Sequence, residues 1–203
     1  MTSRSRTIAS VGVVETGNSV VLVTITARGH VLDRRRVDLT HDLPTHPHHH
    51  QGSWAVGRYL STPGATPMSL AEAVRLVERV RAAAEQGARE ILAVLAATVT
   101  VPIASIALRV CPELPPTIEE RIKDNRAQTI ADTVMYRQAL AGAAEARGWF
   151  VHWYDRDNMR CRNDLAVRVA TIGKLLGPPW QAAHKLAAVA ALSALRTPSS
   201  HAR

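Results

Sequence analysis

The chain opens with three apolar, β-branched runs separated only by short turn segments, and this pattern limits the fold more than any other feature. The runs cover residues 7–14, 19–26 and 30–39, and Gly17 and Asn18 form the first turn. Consecutive strands joined by turns predict an antiparallel meander. Apolar residues on both faces of the first run are typical of a central strand, and the charged residues interleaved in the third favour a position near a sheet edge.

Helical and extended segments alternate after the meander. Ser69 followed by Glu72 has the form of a capping box, which predicts that a helix begins there. The later elements are predicted as a strand at 101–110, a helix at 129–147, a central strand with packed aromatic residues at 149–154, and helices at 164–176 and 181–195. The resulting order, β-β-β-α-β-α-β-α-α, predicts a mixed α/β fold.

The length of 203 residues lies within the usual size of one domain, so we predict a single domain over residues 1–203. Residues 40–68, rich in Pro, Gly, Ser, Thr and His, predict an irregular insertion, and residues 197–203 predict a short flexible tail. No stretch approaches the ~20 apolar residues of a membrane span. Cys111 and Cys161 form no disulfide or zinc pattern. We therefore expect a cytoplasmic protein without a membrane partner.

Basic residues outnumber acidic ones, 25 Lys and Arg against 17 Asp and Glu, and the formal net charge is +8. This balance favours anionic partners, nucleic acid first, because summed positive potential attracts polyanions whatever the fold. The oligomeric state stays open, with a homodimer as one option.

Three segments resemble the RuvC-type junction resolvases of the RNase H-like superfamily. VGVVETG at 11–17 is similar to the family's first strand, which ends in a metal-binding acid, and Glu15 stands at that position. Residues 131–154 look like the family's central helix and fifth strand. AAHKLAAVAAL at 182–192 resembles its terminal helix, where an acid or histidine ligand sits in the first turns, here His184. The resemblance implies an RNase H-like fold, a mixed sheet with a three-strand antiparallel meander and then alternating helices and strands.

The resemblance also implies a metal-dependent nuclease, that is, a phosphodiester hydrolase. In that family, clustered carboxylates hold two Mg²⁺ or Mn²⁺ ions that activate water and stabilise the leaving oxygen. On this hypothesis Glu15 binds metal together with Glu113 or Asp132, and His184 acts as a metal ligand or as a proton carrier, so that the candidate catalytic residues are Glu15, Glu113, Asp132 and His184. His184 shares a helix face with Ala188, so we expect it to point partly inward, towards the end of the first strand.

A second hypothesis is a catalytically inactive RNase H-like module that binds nucleic acid or a protein partner. The predicted fourth strand ends at Leu108 and Arg109 without an acid, and Lys185 stands beside His184, where an ammonium group would oppose cation binding. A third hypothesis is a phosphate-handling protein of the actin-like ATPase type, whose opening hairpin is similar. That superfamily normally has two such domains, whereas this chain has room for one.

Five basic residues are the candidate nucleic-acid contacts. Arg34 and Arg36 lie on one predicted strand at a spacing that directs both side chains to the same face. Arg156 and Arg160 follow the fifth strand and would extend a basic rim, and Lys185 is placed to contact a phosphate.

The histidines His46, His48, His49 and His50 are a candidate transition-metal cluster, since neutral imidazole binds zinc, copper or nickel. Adjacent residues in an irregular loop seldom all point at one ion, however, and the sequence leaves the role of this cluster open.

Overall fold

The computed structural model describes residues 7–49 and 68–196, and within these ranges the chain forms five strands and six helices. The strands are β1 (Ala9–Thr16), β2 (Ser19–Thr26), β3 (Val31–Asp38), β4 (Ile103–Arg109) and β5 (Phe150–Tyr154). The helices are α1 (Leu70–Thr98), α2 (Ile118–Lys123), α3 (Asn125–Glu145), α4 (Arg156–Arg160), α5 (Asn163–Leu176) and α6 (Ala182–Ala194). Residues 50–67 of the predicted insertion, including His50, and the predicted tail at 197–203 lie outside the described residues.

The five strands form one mixed sheet in the order β3-β2-β1-β4-β5. β1 pairs antiparallel with β2, and β2 with β3, so the predicted meander is confirmed. β4 lies parallel to β1, and β5 lies parallel to β4, with a helix preceding each of them in the chain. A meander extended by parallel strands on the β1 side is the RNase H-like arrangement, and the predicted fold class is confirmed.

Helices cover both faces of the sheet. α1 and α3 pack on one face, where Val11 is buried, and α6, backed by α5, packs on the other, where Val21 is buried. α6 can lie directly on β1 because Gly12 has no side chain; a Cβ at this position would stand 1.8 Å from the carbonyl oxygen of Ala187. Gly12 therefore sets how closely α6 approaches the sheet.

Side-chain caps explain where several helices begin. Ser69 and Glu72 bond reciprocally as a capping box, so the predicted start of α1 is confirmed. α3 begins at Asn125, earlier than the predicted residue 129, because Asp124 Oδ1 accepts a hydrogen bond from the Ala127 amide at 2.6 Å. The sequence pattern did not predict α2 or α4, since helices of 6 and 5 residues are too short to display an apolar periodicity.

The last strand, β5, lies at an edge of the sheet, and the prediction of a central strand at 149–154 is wrong. Trp149 and Tyr154 are buried, as expected, but no strand within residues 7–49 and 68–196 pairs with β5 on the side away from β4, and Trp153 is 41% exposed. The chain turns into α4 at this point, which the sequence pattern did not indicate.

None of the helices in the described part of the chain is long and apolar enough to cross a membrane.

Candidate functional site

The carboxyl ends of the parallel strands meet at one edge of the sheet. Glu15 and Thr16 end β1, Arg109 ends β4, and Tyr154 ends β5. Ligands of open α/β sheets commonly bind at this edge. Two cavities open here, one beside α3 and one beside α6, and both are lined in part by Glu15, Thr16 and Arg109. We call them the α3 cavity and the α6 cleft.

Glu15 forms a buried ion pair with Arg137 of α3. Arg137 Nε and Nη2 donate to Glu15 Oε1 at 2.8 and 2.5 Å, and Nη1 donates to the Val110 carbonyl oxygen at 2.8 Å. Both side chains are only 5% exposed. A buried carboxylate needs such a partner, because an unpaired charge out of water is strongly destabilising. The charge of Glu15 is therefore balanced within the protein.

The α3 cavity, about 470 Å³ in volume, contains acids that already have donors. Besides Glu15 it is lined by Asp155, whose Oδ1 accepts hydrogen bonds from the amides of Asp157 and Asn158, both at 2.9 Å, at the start of α4. Burial raises the pKa of the Cys111 thiol in the same cavity, although the guanidinium of Arg137 opposes the shift. The thiol is therefore neutral near pH 7, and the two carboxylates that line this cavity, Glu15 and Asp155, both accept hydrogen bonds within the protein.

The α6 cleft, about 650 Å³ in volume, differs from the α3 cavity because more positive than negative side chains line it. Three cations line it: Arg109 from β4, Arg156 from α4 and Lys185 from α6. Within residues 7–49 and 68–196, no Asp or Glu lies within ion-pair distance of these three side chains. Positive charge in the α6 cleft is thus available to an anionic ligand.

The hydroxyl of Tyr154 lies close to charged residues of both cavities. This hydroxyl donates to the Val13 carbonyl oxygen at 2.8 Å and is buried beneath the α6 cleft. Burial raises the pKa of this phenol strongly, and the nearby charge of Glu15 adds to the shift, whereas Arg137, Arg109 and Arg156 oppose it. The phenol is therefore a neutral structural group that packs under the charged edge.

Asp132 is bound by the loop after β3. Asp132 Oδ1 accepts hydrogen bonds from the His48 amide at 3.1 Å and from His48 Nδ1 at 2.6 Å, and both side chains are buried. His46 Nδ1 lies 3.7 Å from Asp132 Oδ2. The carboxylate expected near Glu15 thus anchors this loop to α3, and Tyr136 adds a second anchor by donating to the Thr45 carbonyl oxygen at 2.9 Å.

His184 is buried at the start of α6 and lies against Trp180. The two rings stack with their centroids 6.0 Å apart, and His184 Nδ1 accepts a hydrogen bond from the Gln181 amide at 3.3 Å. Burial lowers the pKa of His184, and the positive charges of Arg34 and Arg36 lower it further. The expected inward direction is observed, but the charged residue with which α6 lines the cleft beside Glu15 is the neighbouring Lys185.

Glu113 lies in the loop between β4 and α2 and is exposed. It lines a neighbouring cavity together with Leu114 and Arg126, which adjoins the α3 cavity at Pro112 and Ile130 but is not lined by Glu15. The structure thus places Glu113, Asp132 and Glu15 in three different surroundings.

The five candidate nucleic-acid contacts also have different surroundings. Arg34 donates to the carbonyl oxygens of the segment between α5 and α6 at 2.9 to 3.2 Å, so it holds that connection in place. Arg36 is exposed on the edge strand β3. Arg156 and Lys185 line the α6 cleft. Arg160 ends α4, and its side chain lies outside what the structure describes.

The donor set at this edge does not fit a two-metal centre. Hard divalent cations need several free oxygen ligands, and the binding oxygen of Glu15 already takes two N–H donors from Arg137. Arg109 and Lys185 would repel an incoming cation. In the described part of the chain, no group of three or more His, Cys, Asp or Glu residues is arranged to hold a metal ion.

Sequence reasoning missed Arg137, the residue that determines the state of Glu15. One signal was present: Arg137 directly follows the largely apolar run Val134–Met135–Tyr136 within a predicted helix, and the structure buries it with these residues. Arginine is almost never fully buried unless it is paired, so its position among buried neighbours indicates a buried acid elsewhere in the fold.

Two solved structures of RuvC from Thermus thermophilus are similar to this chain. One, in complex with a Holliday junction substrate, is 14% identical with a TM-score of 0.49, and the similarity covers 92% of this chain and 91% of that one. The other is 14% identical with a TM-score of 0.45, covering 91% and 92%. No protein-family model and no curated protein matches the chain. At this identity the likeness concerns the fold, and the resemblance drawn from the sequence is to the same group of proteins.

Proposed function

We propose that this protein is an RNase H-like module that binds nucleic acid at the α6 cleft and that does not use a two-metal centre. The observation that carries the proposal is a set of three cations at the carboxyl edge of the sheet, Arg109, Arg156 and Lys185, which have no acidic partner among the described residues. Cationic side chains here would bind phosphate oxygens directly, as Arg and Lys do in many nucleic-acid complexes.

The charge balance around the cleft supports the same ligand class. Among the described residues, Glu15 is the one acid that lines the α6 cleft, and Arg137 neutralises it from the α3 side. The net charge of the chain, +8, adds a long-range attraction for polyanions. A phosphate group entering the cleft therefore meets uncompensated positive charge.

The metal-dependent nuclease, with Mg²⁺ or Mn²⁺ and with Glu15, Glu113, Asp132 and His184 as its catalytic set, is the competing outcome. It would require Glu15 to exchange Arg137 for a metal ion, and Asp132 and His184 to leave their present partners. Nothing in the contacts of these residues favours that exchange, and the binding module needs no rearrangement.

Binding to labelled single-stranded, duplex and four-way-junction DNA, and to RNA, tests the proposal by fluorescence anisotropy across a salt series. Log affinity should fall linearly with log salt, because neutralised phosphates release counterions. Replacing Arg109, Arg156 and Lys185 together by Ala should reduce that slope by about 2 for single strands, at roughly 0.7 per lost phosphate contact. Arg79→Ala, an exposed residue of α1 on the opposite face of the sheet, is the matched control and should leave the slope unchanged.

Affinity that does not change with salt, or a triple variant that binds like the Arg79→Ala control, would contradict the proposal. Cleavage of the same substrates with Mg²⁺ or Mn²⁺, abolished by Glu15→Gln in a folded protein, would establish the nuclease instead. Selective binding of a protein rather than any nucleic acid would support the remaining alternative, a protein-binding module.

A further inference from the structure

Most of the residues that line the α6 cleft are apolar, which phosphate binding alone does not explain. These apolar side chains come from the sheet, α4, α5 and α6: Val14, Tyr154, Met159, Ala166, Val169, Ala182, Ala183, Leu186 and Val189. A cavity of about 650 Å³ is of the size that accommodates a small organic ligand. Its apolar walls and charged rim require a ligand with both an apolar and an anionic part.

The composition of the lining favours an apolar group with polar edges. α5 contributes Ala166 and Val169 to the lining, and α6 contributes Ala183, Leu186 and Val189. A nucleobase has two apolar faces and polar edges, so it can lie against such a lining while its edges remain near the rim.

We propose that the α6 cleft takes one unpaired nucleotide of a nucleic-acid strand, with the base between α5 and α6 and the adjoining phosphates at Arg109, Arg156 and Lys185. This inference rests on the proposed function and specifies its ligand. A base in a duplex is stacked and paired, and it must leave the stack before a pocket can accept it. Single strands and unpaired positions are therefore the substrates that fit the cleft.

Two oligonucleotides of equal length separate the base from the phosphates: oligo-dT and a strand of abasic sugar-phosphate units. They carry the same charges, and dT stacks weakly on itself, so the difference reports the contribution of the base. The wild-type protein should bind oligo-dT roughly tenfold more tightly than the abasic strand, within the range measured when proteins bury unpaired bases.

Filling the cleft provides the matched test. Ala166→Phe places a ring between α5 and α6, and it should lower the affinity for oligo-dT to that for the abasic strand while leaving the abasic strand unaffected. Ala170→Phe introduces the same ring at another exposed alanine of α5 that does not line the cleft, and it should retain the preference. Thermal unfolding of both variants checks that the fold is intact.

Equal affinity of the wild-type protein for the two strands would overturn the inference, and this comparison needs no variant. A preference that survives in Ala166→Phe as fully as in Ala170→Phe would overturn it too. In either case, loss of affinity for both strands in the Arg109, Arg156 and Lys185 triple variant would leave the proposed function standing. If the wild-type protein bound neither strand in a salt-dependent manner, both proposals would fail together.

Discussion

The α3 cavity and the α6 cleft share Glu15, Thr16 and Arg109, yet they differ in what their charges do. On the α3 side, Glu15 is paired with Arg137 with only 5% of each side chain exposed, and the acid and the base cancel. On the α6 side, the cationic side chains have no acid within ion-pair distance in the described part of the chain. The comparison shows that the partner of a charged residue, and not its type, decides whether it supports the fold or is available to a ligand.

The largest expected effect comes from breaking the charge balance of the α3 cavity. Arg137→Met would leave the buried carboxylate of Glu15 unpaired, and we expect a loss of about 3–5 kcal/mol in the free energy of unfolding. Urea denaturation measures it. Adding Glu15→Gln should recover a large part of the loss, because the unpaired charge is then removed. A loss no larger than that of Arg126→Met, an exposed position on the same helix, would contradict this account.

The next effect concerns the wall of the α6 cleft. Gly12→Ala would bring a Cβ to 1.8 Å from the Ala187 carbonyl oxygen, so α6 must move away from β1. We expect a loss of about 1–3 kcal/mol, typical of an overpacked interior, together with weaker oligo-dT binding. Gly142→Ala in α3, where a Cβ would meet nothing within 4 Å, is the control and should stabilise the protein slightly. Wild-type stability in Gly12→Ala would show that α6 is not seated on β1 in this way.

Smaller effects are expected at two basic residues of the α6 side, Arg34 and Lys185. Arg34 should affect stability and Lys185 the salt dependence of binding. Arg34→Ala removes hydrogen bonds to the segment between α5 and α6, and we expect a loss of about 1–2 kcal/mol in stability without a change in salt slope. Lys185→Ala should leave stability within about 0.5 kcal/mol. It should reduce the salt slope by about 0.7. Urea denaturation and fluorescence anisotropy on both variants measure the two effects. A loss of stability in Lys185→Ala with a reduced salt slope in Arg34→Ala would contradict this assignment.

The smallest expected effect is a pH dependence at His184. Its folded pKa is lowered below 6.5 by burial, so the folded protein binds this proton less readily than the unfolded chain does. The stability contributed by the neutral ring is complete above pH 6.5 and is lost as the pH falls through the folded pKa. The difference in unfolding free energy between wild type and His184→Gln should therefore narrow on acidification. A difference that widens at acidic pH would show that folding raises the pKa of His184 and would contradict this prediction.

Local patterns predicted most of the fold because they depend on residues close in sequence. The meander follows from runs of β-branched residues and short turns, and the start of α1 follows from the reciprocal Ser69 and Glu72 bonds. The prediction failed at β5, where a strand with apolar residues on both faces lies at the edge of the sheet. The hydrophobicity of a segment does not show whether the strand pairs on one side or on both, so it did not distinguish a central strand from this edge strand.

The site was less predictable, because its contacts join distant parts of the chain. Glu15 was identified as the acid that ends the first strand, but its partner Arg137 lies 122 positions away. Asp132 was expected near Glu15, yet His48, 84 positions away, binds it. His184 was expected beside Glu15, whereas the rotation of α6 presents Lys185 to the cleft instead.

The sequence by itself determined the order and type of the main elements, the capping of α1 and the excess of positive charge, since these follow from local propensity and composition. Only the tertiary structure decided which charges cancel and which remain available. The physical reason is that desolvation and ion pairing depend on three-dimensional neighbours: a carboxylate is balanced or free according to what packs against it, and residue spacing along the chain does not specify that neighbour.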